Sequence, residues 1–330
     1  VHIVRTVIPN QHTGAELKLI EHKLIKPYTP RHNGKVERSH RKDNEYFYAV
    51  HTFYLFDDFK LLHDRLNIGT MISLESDSTI FKRAEFNAPY KCISVINQTS
   101  TDYISGDNWG EQNSIIWLDY VTPRALGQQF SDIATLSNTI LPCDVLKVTF
   151  NANADTLGKA ENGMDARLEK LRSRIGEYIP ADATPSDCTK DKYPLLLLKC
   201  LQIMLSKNFT ETKYDKRFVL PLFSTIYQDS QHLMLTFTCV ILDSHDEEEK
   251  VKACFEDISY VNFKWDEPSL IKIPELTIKE MIEINKLLPG KDVEEQLLRE
   301  FNFVFDDKAE EASSYISFYK YYPSFQSINF

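Results

Sequence analysis

The sequence predicts an α/β fold built on a doubly wound sheet, and three observations carry that expectation. Four runs rich in β-branched and other apolar residues, at 70–75, 91–96, 114–119 and 144–150, are near-continuous rather than alternating, as in parallel strands buried on both faces. Stretches of helical length separate them, so that each strand can return through a right-handed crossover. Two further apolar runs, 217–227 and 232–242, are parted only by the polar residues 228–231 and predict a C-terminal antiparallel hairpin at the sheet edge.

The helices that cover this sheet are expected at 61–67, 79–87, 126–138 and 164–178. Residues 52–56 (Thr-Phe-Tyr-Leu-Phe) can serve as a first strand. Residues 243–250 are dense in Asp and Glu and read as an acidic surface loop. Beyond it, 277–288 and 292–301 read as short helices separated by Pro289 and Gly290, and the Tyr-rich end, 314–325, as a closing strand or an edge contact. On this reading 61–250 is one domain, 251–330 is its extension, and 1–60 stands apart.

Composition separates the same parts. The chain of 330 residues is 42% hydrophobic, enough for one large core or two modest ones. Its first 60 residues carry ten Lys and Arg against seven Asp and Glu, leaving 28 against 41 for the remainder, and they hold six of the nine histidines. A basic segment joined to an acidic domain points to a polyanionic partner for the former. The greasiest run, 194–205, is interrupted by Lys199 and Gln202 and falls short of the roughly 20 apolar residues of a membrane helix. The first five residues lack the layout of a signal peptide, so no membrane partner and a cytoplasmic location are expected. The six cysteines are scattered without zinc-ligand spacing and are expected as reduced thiols.

In the basic segment, Pro27, Pro30 and the pair Asn33-Gly34 demand a turn, and nothing from Lys35 to Ala49 breaks a helix. Asn33 can cap it, and Glu37 falls in its first turn, where the helix dipole favours a carboxylate. Glu37, His40, Arg41 and Asn44 share one polar face. The wording of residues 22–48, continuing to Lys60, resembles the last part of the catalytic core of DDE transposases and retroviral integrases, an RNase H-like fold. That resemblance implies a partial core in which Glu37 is the third catalytic, metal-binding carboxylate, acting on magnesium ions. It also implies DNA as partner, through phosphate contacts from Arg31, Lys35, Arg38, Arg41 and Lys42. The other two carboxylates of such a site are upstream aspartates, whereas the first Asp of this chain is Asp43. Strand transfer is therefore not expected, and a magnesium site would need completion from elsewhere.

In the acidic part, Glu75 and Asp119 each end a predicted strand. A carboxylate at such a position is where doubly wound folds bind ribose hydroxyls, which marks Glu75 for a nucleotide cofactor and Asp119 for a cofactor-binding or catalytic, substrate-orienting role. The strand order with its trailing hairpin resembles the Rossmann fold of S-adenosylmethionine-dependent methyltransferases. Residues 71–75, 81–90, 115–120 and 149–152 are similar to an uncharacterised methyltransferase-like group over about 61–242. The resemblance implies S-adenosylmethionine as cofactor. It also implies a Gly-rich turn before the first helix, yet the only glycines ahead of Met71 are Gly14, Gly34 and Gly69, and Asp57-Asp58 stand where that turn belongs. Three functions stay open: a transposase remnant fused to a methyltransferase-like domain with little activity in either, a working methyltransferase or DNA-modifying protein, and a non-enzymatic interaction module whose protein partner is unspecified.

Overall fold

The structure, a computed structural model, describes residues 2–7 and 56–319, less 107, 108, 110, 111, 121, 160, 162, 210–215, 230, 231, 257, 259, 272–275, 291 and 301–309. Of the described residues, those up to Ser269 form one compact unit and those from Leu270 a second.

The first unit alternates strand and helix. Strand β1 (His2–Val7) comes before α1 (Asp57–Leu66), β2 (Met71–Leu74), α2 (Ser78–Asn87), β3 (Ile93–Ile96) and α3 (Ser100–Ser105). Then follow β4 (Ser114–Asp119), α4 (Leu126–Leu136), β5 (Val145–Asn151), α5 (Met164–Ile175), α6 (Tyr193–Asn208), the hairpin β6 (Phe218–Asp229) and β7 (His232–Leu242), and α7 (His245–Cys254). The strands stand in the order β3-β2-β1-β4-β5-β7-β6. Strands β2 and β3 pair in parallel, as do β4 and β5, while β7 runs antiparallel to both β5 and β6.

The local causes are plain in the sequence. All seven residues of β5 are buried, as its near-continuous apolar run requires. Helix α2 starts at Asp77, whose Oδ1 accepts the backbone N–H groups of Thr79 at 2.8 Å and Ile80 at 2.9 Å. In α4, Leu126, Phe130, Ile133 and Leu136 recur at helical spacing and are all buried. Because side chains alternate along a strand, the sheet separates two cores. Ile116, Leu118, Leu146, Val148, Phe150 and Phe237 face α4, α5 and α6. Ile115, Val145 and Val240 face α1 and α7 through Phe59, Leu62 and Val251. Phe150 lies between the rings of Tyr120, at 6.0 Å, and Phe130, at 5.5 Å. Each such fully buried side chain stabilises the fold by about 1.5–3 kcal/mol relative to exposure.

The main departure from expectation is at the sheet centre. The doubly wound pattern predicts parallel strands there, but β1 occupies the position and runs antiparallel to both neighbours, Val4 pairing with Ser73 on one side and Trp117 on the other. The sheet is therefore mixed. Of the predicted first strand, residues 52–55 lie outside the described residues.

Other expectations are also corrected. The acidic stretch after β7 is helix α7, not a loop: Ser244 Oγ accepts the N–H of Glu247 at 3.3 Å, and Asp246, Glu247 and Glu248 fill the first turn, where a helix favours negative charge. Of the Tyr-rich end, residues 314–318 are helical rather than strand, and 320–325 lie outside the described residues. Helix α6, made from the apolar run 194–205, and α3 were not anticipated. All six cysteines are free, with Cys188, Cys200 and Cys239 buried.

The second unit contains α8 (Ile278–Leu287), α9 (Val293–Glu300) and α10 (Glu310–Phe318). Thr277 and Glu280 form a reciprocal capping box at the start of α8. Ile284, Val293, Leu297, Ala312 and Tyr315 form its core, and the Tyr315 hydroxyl donates to Asn285 Oδ1 at 3.0 Å.

Candidate active site

Strands β2, β3, β4 and β5 all end at one edge of the sheet, where Glu75 and Asp119 stand. From the pairing of Ser73, Val4 and Trp117, two residues further along each strand bring Glu75 and Asp119 to the same level, with β1 between them. Two strand spacings place their backbones roughly 10 Å apart.

Glu75 is 9% exposed. Its backbone N–H donates to Ile96 O at 3.0 Å, its carbonyl accepts from Asn97 Nδ2 at 2.7 Å, and its Oε1 accepts the Asp77 N–H at 3.0 Å. The carboxylate thus stands on the turn that leads into α2, fixed by one oxygen.

Asp119 is half-buried at the end of β4. Burial pushes its carboxyl above the usual carboxylate range, while Lys147 on β5 and the Thr149 hydroxyl pull the other way. Thr149 belongs to a short chain of polar groups: the Trp117 indole N–H donates to Thr149 Oγ1 at 3.2 Å, and that oxygen lies 3.1 Å from Thr236 Oγ1.

Lys147 was not singled out by sequence reasoning, although a lone charge inside the apolar run Val-Leu-Lys-Val-Thr-Phe is a visible signal. It is 6% exposed, and its Nζ lies 3.5 Å from the centroid of the Trp117 ring. Burial lowers its pKa to about 8, against the attraction of Asp58, in the first turn of α1, and of Asp119. Helix α1 itself opens at Phe56, which sits in the left-handed region at φ 48° with no side-chain cap, a conformation glycine adopts without strain.

The buried Asp132 of α4 accepts from Thr101 Oγ1 at 2.9 Å, Gln128 Nε2 at 2.9 Å and the hydroxyl of Tyr120, the residue after Asp119, at 3.4 Å. This network joins α3 and α4 to the end of β4, and together with burial it holds the Tyr120 hydroxyl protonated far above its ordinary range. It gives the edge a rigid floor.

Of the residues singled out in the sequence, the structure brings Glu75 and Asp119 to this edge. Glu37, Arg31, Lys35, Arg38, Arg41 and Lys42 lie outside the described residues. Among the described residues no cluster of three or more metal-ligating side chains occurs. Among those same residues no helix is long and apolar enough to cross a membrane. A cleft of about 420 Å³ lies elsewhere, lined by Phe130, Ala134, Arg174, Tyr178 and Asn208. We prefer the strand edge to this cleft, because the Arg174 guanidinium is already engaged by Pro123 O and Thr156 O.

The mixed α/β sheet, in this strand order, fits a methyltransferase-like fold. The chain belongs to the family described as "Putative O-methyltransferase", which matches residues 34–330. No curated protein matches it. The family match takes in residues 34–60, where the sequence reading placed a transposase or integrase fragment. Nothing in the comparisons supports that fragment or the fusion inferred from it.

Proposed function

We propose that this chain binds S-adenosylmethionine at the strand-end edge and transfers its methyl group to a hydroxyl oxygen of an acceptor. The observation that carries the reading is the placement of Glu75 and Asp119 on one level at the switch point of the sheet, in a chain of an O-methyltransferase family. The donor set suits the cofactor. A carboxylate held by one oxygen keeps acceptor capacity for the paired hydroxyls of a ribose, and an edge bearing Asp58 and Asp119 favours a ligand with fixed positive charge. What the family resemblance leads one to expect and the sequence lacks is the Gly-rich turn ahead of α1.

Bound there, S-adenosylmethionine supplies a methyl group on a sulfonium sulfur. The chain's own part is to place and prepare. Glu75 would hold the ribose, Asp119 would orient the acceptor, and the Tyr120–Asp132 network keeps the end of β4 from shifting beneath them. Positioning of this kind is worth several kcal/mol of barrier when the reacting atoms are held near contact distance.

Calorimetric titration of the full chain with S-adenosylmethionine tests the reading. Micromolar binding is expected, weakened at least tenfold, or about 1.4 kcal/mol, by Glu75→Ala. Glu75→Gln, which keeps an oxygen for the Asp77 N–H while removing the charge, separates loss of ribose binding from collapse of the turn. Absence of binding by the unaltered chain overturns the proposal.

A further inference from the structure

A lysine inside a sheet ordinarily has its three N–H donors satisfied, because a bare buried ammonium is costly. Lys147 departs from this. Among the described residues its Nζ makes neither a hydrogen bond nor an ion pair, and it lies against the face of Trp117. The amine of a side chain more than nine-tenths buried therefore keeps open hydrogen-bonding capacity on the Asp119 face of β5.

We infer that Lys147 is the group that takes the proton from the acceptor hydroxyl, a role that rests on the methyl-transfer reading above and adds to it the residue that activates the acceptor. Three features of its surroundings suit that task. The register sets Lys147 opposite Trp117, one strand away and two residues from the pair Asp119–Thr149, so it adjoins the residue placed to orient the acceptor. Its burial disfavours the charged form, and its amine titrates near pH 8, where a base is both available and basic enough to act. The groups around it accommodate the charge it gains: Asp58 from α1, Asp119 from β4 and the indole face of Trp117. Thr238 and Thr236 of β7 and Thr149 are neutral, and His2 of β1 pairs with Asp119 through the backbone.

The acceptor's O–H bond breaks and its proton goes to the Lys147 lone pair. The oxygen's freed pair forms the bond to the methyl carbon, and the old C–S pair stays on sulfur, leaving a neutral thioether. The Lys147 ammonium then returns its proton to solvent at the edge. The acceptor class that fits is a neutral hydroxyl compound whose O–H is acidic enough to yield to an amine, such as a phenol or enol. With two carboxylates already facing the amine, an anionic acceptor would be repelled.

The experiment reads the amine itself, without turnover. Full-length protein labelled with carbon-13 and nitrogen-15 in lysine is titrated by NMR, first free, then with S-adenosylmethionine, then with S-adenosylhomocysteine. The Lys147 signal is assigned by its loss in Lys147→Met and, should that variant fail to fold, by through-bond connectivity in the unaltered chain. The expected result is a lysine titrating near pH 8 whose midpoint falls further, by on the order of half a unit or more, with the positively charged sulfonium than with the neutral thioether. A midpoint in the ordinary lysine range, or one that is the same with both compounds although both bind, overturns the Lys147 assignment and leaves the methyl-transfer reading intact. If neither compound perturbs the backbone signals, the methyl-transfer reading falls, and the role of Lys147 falls with it.

Discussion

Lys147 also carries an energetic signature of its own. A folded-state pKa of about 8 against 10.5 in the open chain means that holding the ammonium in place costs about 3 kcal/mol below pH 8. Between pH 8 and 10.5 the unfolded chain binds this proton and the folded one does not, so the lysine's contribution to stability becomes less unfavourable as pH rises through that window. Denaturant titrations at pH 7 and pH 10 should show that difference in the unaltered protein relative to Lys147→Met, in which the pH-dependent part disappears. An equal pH dependence in the two proteins would place the charge elsewhere. At this scale the sequence is legible in part. Glu75 and Asp119 could be picked because each ends a β-branched run, a purely local signal. The partners of Lys147 could not, because Asp58, Trp117 and Asp119 meet it only through tertiary packing.

Among the elements, α4 and α5 approach each other closely at Gly127. A Cβ added to Gly127 would stand 2.8 Å from the Arg174 carbonyl oxygen, a backbone atom that cannot swing aside. Gly127→Ala should therefore destabilise the first unit by about 1–3 kcal/mol despite the gain in helix propensity, as measured by denaturant midpoint. An unchanged midpoint would show that the two helices separate freely. The elements most legible beforehand were those whose period matches their burial: β5, with every residue buried, and α4, with its apolar stripe. The errors have physical causes. The acidic stretch that became α7 reads as loop by composition, yet its carboxylates lie in the first turn, where the dipole favours them. Helix α6 is apolar nearly all round because it is buried, with Leu196, Leu197, Leu198 and Leu201 in the core, so it offers little periodicity to detect.

For the whole molecule, β1 is the feature that the sequence could not announce. Its six residues are too short to carry a period, and their partners on β2 and β4 lie far along the chain. A proline at Val4, paired on both sides, removes a ladder hydrogen bond in a central strand. Val4→Pro is expected to cost about 3 kcal/mol or more and to weaken the packing of both cores, read by loss of near-ultraviolet circular dichroism. Retention of a native spectrum and midpoint would mean that the sheet holds without this strand.

The antiparallel course of β1 also governs when the sheet can close. The pairs β3-β2 and β4-β5 are each made of neighbours joined by one crossover, whereas the strand that unites them is synthesised well before either and must wait for Asp119 to leave the ribosome before its His2 partner position exists. Such a long-range closure is slow. During that interval the edges of β2 and β4 are open to strands of other chains. Crowded expression therefore selects between a closed monomer and intermolecular strand exchange at this one seam.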